Sequence, residues 1–201
     1  MLLSALDTNT KERVRRECGW LGFGPLSANV LAHPTPDFSD LDVTIGRLGV
    51  AGDLIVMRGR TVRNETAMRE LVRSCWNLDE IDARYAEFVT RFRPLIKALS
   101  GKNQIREKSA FLVRTLLIQE YRTVLLRDPL LPAELLPADW HGAAAYQLCR
   151  NLYRLVHRDA DAYIDAAMET ADGPLPPPTA EFMQRFGGLS PTPGKEYPVH
   201  G

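Results

Sequence analysis

The sequence predicts an α+β chain. A small βαββαβ unit, ferredoxin-like in its order, covers residues 1–62, an all-α half covers 63–172, and a proline- and glycine-rich tail covers 173–201. Three observations carry this reading. Up to about residue 60 the apolar residues fall in short stretches of alternating strand and helix character. From Asn64 to about Thr170 they recur with helical period. After Gly173, prolines and glycines break every period, so the tail is expected to be mostly irregular.

In the first unit, Leu2 to Leu6 reads as a strand, and Asp7 to Asn9 offer cap chemistry for a helix holding Val14, Cys18 and Leu21. Gly22 and Gly24 stop that helix. The runs at 24–27 and 29–33 are close enough for a hairpin, ended by Pro34 and Pro36. Leu41, Ile45 and Leu48 have helical spacing before Gly49, and Leu54-Ile55-Val56-Met57 has the look of a buried strand.

In the second half, a short helix runs from Asn64 to about Cys75. Asn77 followed three residues later by Glu80 is a capping-box pattern opening the next helix, whose apolar stripe is Leu78, Ile81, Tyr85, Phe88, Phe92, Leu95 and Leu99. Glu80 and Arg84, and Glu87 and Arg91, pair along its outer face. Pro94 predicts a kink between Thr90 and Pro94. Ile105 to Leu126 is apolar almost all round, which predicts the central and most buried helix. Pro129, Pro132 and Pro137 are expected to hold an extended connection to Trp140. A last long helix is expected from about Ala143 to Met168, with Phe182, Phe186 and Leu189 of the tail apolar enough to dock on the body.

Composition bounds the function classes. The chain has 201 residues, and its 25 basic side chains balance 25 acidic ones. There is therefore no overall positive field to draw it onto phosphate backbones. Cys18, Cys75 and Cys149 are widely spaced inside apolar patterns and read as reduced core thiols of a cytoplasmic protein. The N-terminus lacks the basic region of a signal peptide, and no apolar run is long enough to span a membrane.

Motifs for catalysis are missing. Gly22-Phe23-Gly24 lacks a third glycine, no GK[ST] occurs, and no G-x-S-x-G elbow is present. His33, His141, His157 and His200 lack the spacing of a zinc site, so no metal or other cofactor is expected and the chain reads as a non-enzyme. Asp7 is the one enzymatic alternative. An acid ending the first strand of such a unit resembles the metal-holding aspartate of Cas2-type nucleases, although Thr8 to Glu12 make it a helix N-cap.

Arginines and aromatics of the helical half are the remaining candidates, because a ligand with an aromatic end and several phosphates needs both. Trp76, Phe92, Tyr121, Trp140 and Tyr153 could line an apolar slot, and Arg93, Arg114, Arg122 and Arg127 could meet phosphates. The alternative is core aromatics and solvated arginines. Arg122 and Arg127 stand out, since they belong to a helix otherwise too apolar to be exposed. Buried there, each would need an anion from Glu120, Asp128 or a ligand phosphate.

Longer stretches carry a resemblance. Trp20-Leu21-Gly22-Phe23-Gly24-Pro25-Leu26, Cys75-Trp76-Asn77-Leu78, Phe92-Arg93-Pro94-Leu95, the run from Tyr121 through Arg127-Asp128-Pro129 to Trp140, and Gln184 to Leu189 resemble the PaaX family, repressors of phenylacetic acid degradation operons. The resemblance extends from Leu2 to about Leu189. It implies a winged-helix N-terminal domain, a Cas2-like middle domain and a helical C-terminal domain, acting as a homodimer that releases operator DNA when phenylacetyl-CoA or a related aryl-CoA binds. No winged helix precedes the first strand here, so operator DNA is expected to be contacted only through that missing domain. A start codon set too late accounts for this, with a ligand-sensing or interaction fragment, or a Cas2-type nuclease, as alternatives. The effector contacts expected from the residues and the resemblance together are Trp76, Arg93, Arg114, Tyr121, Arg122 and Arg127.

Overall fold

A computed structural model describes residues 1–59, 65–101, 105–171 and 173–189. It is mostly helical with two small antiparallel sheets, and the chain divides into two compact units. One comprises Met1–Arg84 with Thr123–Trp140, the other Tyr85–Arg122 with His141–Gly201. The 62/63 and 172/173 boundaries read from the sequence fall on or beside residues outside the described ones.

In the first unit, α1 (Thr8–Trp20) starts where the Asp7 carboxylate accepts from the Asn9 and Thr10 amides at 2.9 and 3.1 Å. Its Val14 and Cys18 are fully buried. A hairpin follows, β1 (Gly24–Ser27) against β2 (Val30–Ala32), with an irregular register between Pro25 and Ser27. α2 (Phe38–Leu48) is capped by Asp37 and ends at Gly49, whose φ of 71° suits a residue without a Cβ. Leu3, Val14, Cys18, Leu31, Leu41, Ile45 and Val50 form one core.

The outer strands are shorter than the sequence implies. Leu2 alone bridges Val30 on one side and Ile55 on the other, both antiparallel, and its amide donates to the Ile55 carbonyl at 2.9 Å. The chain turns at once, with the Leu6 amide on the Leu3 carbonyl, so Leu3 and Leu6 enter the core from a turn. Leu54 packs on the core, but Ile55, Val56 and Met57 are exposed, which corrects the expectation of a buried strand. An apolar run states that a segment is able to be covered; whether another layer covers it is a tertiary matter.

α3 (Glu65–Trp76) and α4 (Leu78–Leu99) meet at Asn77. The expected capping box is replaced by another device. Asn77 sits at φ 47°, a left-handed conformation that asparagine tolerates, and its side-chain amide donates to the Glu80 carboxylate at 2.7 Å. The Thr123–Trp140 segment is not extended either. The Asp128 carboxylate accepts from the Leu130 amide at 2.8 Å, Leu130 takes φ 51°, and Ala133–Leu135 makes a 3₁₀ turn. An aspartate beside a proline is turn chemistry, and it prevails over the stiffness of the three prolines.

In the second unit, α4 continues through Pro94 as a single helix. α5 (Glu107–Leu125) is not the most buried helix, because its Leu112 and Leu116 are half exposed. That place belongs to α6 (Gly142–Ala167), which buries Ala145, Leu148, Cys149, Leu152, Tyr153, Val156, His157 and Ala160. Small residues such as Ala145 and Ala160 allow close approach there, a feature that average hydrophobicity undervalues.

The tail is more ordered than expected as far as Leu189. β3 (Glu169–Thr170) pairs with β4 (Gly173–Pro174), and α7 (Ala180–Gln184) is capped by the Thr179 hydroxyl. Phe186 lies 5.0 Å from the Tyr153 ring, and Leu189 is buried, so two of the three expected anchors dock on the body.

Candidate functional site

The six residues expected to contact an effector divide between the units. Trp76 and Arg127 are in the first, Arg93, Arg114, Tyr121 and Arg122 in the second.

Trp76, the last residue of α3, is tied to the hairpin entry. Its indole Nε1–H donates to the Gly22 carbonyl at 2.8 Å, and the indole lies so close to Gly24 that a Cβ there would sit 2.6 Å from Cε2. This explains why Gly24 carries no side chain. Gly22, at φ 85°, faces His33 in the same way. Trp76 is thus a structural plug whose polar end is satisfied.

Arg127 is half exposed and 4.0 Å from Glu80, whose carboxylate is already bonded by Arg84 at 2.8 Å. Those bonds, with Arg127 adding a smaller share, hold the Glu80 carboxyl below the usual carboxylate range. Arg122 is also exposed. The expectation that Arg122 and Arg127 are buried among apolar residues is therefore corrected. α5 exposes part of its apolar surface, Leu112 and Leu116, so a charged residue on it such as Arg122 need not be buried.

Among the described residues the buried arginine is Arg114. It lies 2.5 Å from Asp161 of α6, and the two side chains are 11% and 13% exposed. Its charge is met within the protein, and Asp161 is a partner that the sequence reading did not pick out. Tyr121 is buried in a ring cluster, 5.5 Å from Phe88 and 6.4 Å from Tyr85. Arg93 is exposed on α4.

A cleft of about 260 Å³ in the first unit is lined by Arg69, Glu70 and Arg73 of α3, with Leu135, Leu136 and Pro137 opposite. None of the six residues lines it, and it is small for a large cofactor-like ligand. Among the described residues, no group of three His, Cys, Asp or Glu is placed to hold a metal ion, and no helix is long and apolar enough to cross a membrane. The cysteines are free thiols; burial pushes Cys149 up to about 12 and Cys18 up to about 11. Asp7 serves α1 as its cap, with its two amide bonds already described.

Comparison with known proteins bears on the region holding these side chains. Residues 76–166, which include all six candidates and Asp161, match the PaaX-like protein C-terminal domain. Over 193 residues the chain is 38% identical to the transcriptional repressor PaaX of Escherichia coli strain K12, covering 94% of this chain and 61% of that protein. The chain thus spans about three fifths of that relative's length. The relative is a transcriptional repressor and not an enzyme, in agreement with the non-enzyme reading. On these grounds the chain belongs to the PaaX family, and residues 76–166 are its PaaX-like C-terminal domain.

Proposed function

We propose that this chain is the effector-binding and dimerising part of a cytoplasmic transcriptional repressor of phenylacetate catabolic genes, relieved by phenylacetyl-CoA or a related aryl-CoA thioester. The observation that carries the reading is the 38% identity to a transcriptional repressor across 94% of the chain. Operator contact is assigned to the part of that relative which the match does not cover.

Two features support the architecture in this reading. The isolated bridges of Leu2 to Val30 and to Ile55, beside the β1–β2 hairpin, support the order Ile55, Leu2, Val30, Pro25 that a ferredoxin-like sheet would have. The exposed Ile55, Val56 and Met57 on its edge are apolar surface of the kind that homodimers cover. Ligand control then requires that the effector bind one arrangement of the dimer more tightly than the other.

For the effector, exposed Arg93, Arg122 and Arg127 are the proposed phosphate contacts, because their guanidinium groups reach solvent. Trp76 or Tyr121 is proposed near the aryl group, and Arg114 is proposed to act with Asp161. Calorimetry of phenylacetyl-CoA binding tests this. Replacing Arg122 and Arg127 together with Ala should weaken binding by about tenfold or more. Unchanged affinity removes the two arginines from the site, and no binding to the unaltered chain removes the effector reading.

A further inference from the structure

A second group of arginines, none of them among the six residues above, lies on α6. Arg150 and Arg154 are four residues apart and so share a face of the helix. The Arg154 guanidinium donates to the Gly187 and Gly188 carbonyls at 3.2 and 2.8 Å, which fixes it against the turn that ends the described chain. A Cβ at Gly187 would lie 3.8 Å from an Arg150 terminal nitrogen and 3.9 Å from one of Arg154. Both guanidinium groups therefore converge on one glycine, within about 8 Å of each other.

Two like charges at this spacing repel. Among the described residues, neither arginine forms an ion pair with an acid. Of the acids farther along α6, Asp159 accepts from the Ile105 amide at 3.0 Å and Asp161 pairs with Arg114. Arg185, in the same turn, is engaged over the Phe182 ring at 4.9 Å. Moreover, the Nε–H groups of both Arg150 and Arg154 are shielded from solvent and donate to no acceptor. Such donors are costly to leave unsatisfied, and an anion held at the terminal nitrogens of the two guanidinium groups offsets their charge.

We propose that Arg150 and Arg154, set against the Gly187–Gly188 turn, form a binding site for the phosphate group of a ligand. Phosphate fits because it offers three acceptor oxygens and up to two negative charges to two forked donors. The site does not rest on the repressor reading. Its phosphate can come from an acyl-CoA effector or from a separate phosphate ligand.

Isothermal titration of the full chain with inorganic pyrophosphate at low salt tests the proposal. The unaltered chain should bind, and Arg150→Gln should weaken binding by at least about tenfold while leaving the Arg154 contacts to the turn in place. Arg150→Lys, which keeps the charge but lacks Nε, should also weaken it. Circular dichroism checks that each variant retains its helices. No pyrophosphate binding by the unaltered chain, or equal binding by Arg150→Gln or Arg150→Lys, overturns the site. A parallel titration with phenylacetyl-CoA separates the two sources. If that affinity falls with Arg150→Gln, the effector's phosphates occupy the site; if it holds while pyrophosphate binding is lost, a separate ligand does.

Discussion

The guanidinium of Arg114 on α5 meets the carboxylate of Asp161 on α6 at 2.5 Å, with both side chains almost withdrawn from solvent. Pairs like this make a large demand on each other. Removing one partner leaves a buried charge unmatched, which costs about 3–5 kcal/mol, whereas replacing both with apolar groups of similar volume is often nearly neutral. Asp161→Ala should therefore lower unfolding stability in urea by that amount, and Arg114→Met with Asp161→Leu should recover most of it. A loss below about 1 kcal/mol for Asp161→Ala would show that the pair is better solvated than its geometry implies.

Trp76 and Gly24 give a second prediction. A methyl group at Gly24 meets the indole at 2.6 Å, so Gly24→Ala should cost about 1–3 kcal/mol through forced displacement. Trp76→Phe removes the donor to the Gly22 carbonyl and should cost about 1 kcal/mol. Because the two changes act on one contact, Gly24→Ala combined with Trp76→Leu should cost less than the sum of the singles in a double-mutant cycle. Additive losses would place the two residues apart.

Asp7 makes stability depend on pH in a defined direction. The Thr10 hydroxyl, followed by the Thr10 amide, holds its carboxyl below the ordinary aspartate range. A depressed folded-state pKa contributes stability that is present above the unfolded value, near pH 4, and is lost as pH falls through the folded one. The urea midpoint of Asp7→Asn should lie below that of the unaltered chain by a constant margin above about pH 5. That margin should shrink below about pH 4. A margin that does not change with pH would remove the charge from the cap. The nuclease alternative makes a different demand, metal-dependent cleavage of nucleic acid that Asp7→Asn abolishes.

Much of this protein is local, and local features were legible in the residues. Asp7 caps its helix because a short carboxylate before an apolar period has amides to accept from, whatever surrounds it. The hairpin at 24–32 and the docking of Phe186 and Leu189 follow from turn spacing and from apolar residues in a polar tail. The family, too, was legible, because the run from Tyr121 to Trp140 is long and its prolines are distinctive.

Which side chains are covered was not legible, and the candidate site depends on that. Arg114, Arg122 and Arg127 read alike on one apolar segment, but the first is buried against Asp161 and the other two reach solvent. Asp161 lies 47 residues away in the chain, so no periodicity could announce the pair. The same holds for Arg150, Arg154 and the Gly187–Gly188 turn, which meet only because the tail folds back onto α6. The sequence by itself determined the long helices, the Asp7 cap and the family, since these depend on neighbours within a few residues. Only the tertiary structure decided which arginines are paired, exposed or left with unsatisfied donors, because burial and charge pairing are set by residues distant in the chain.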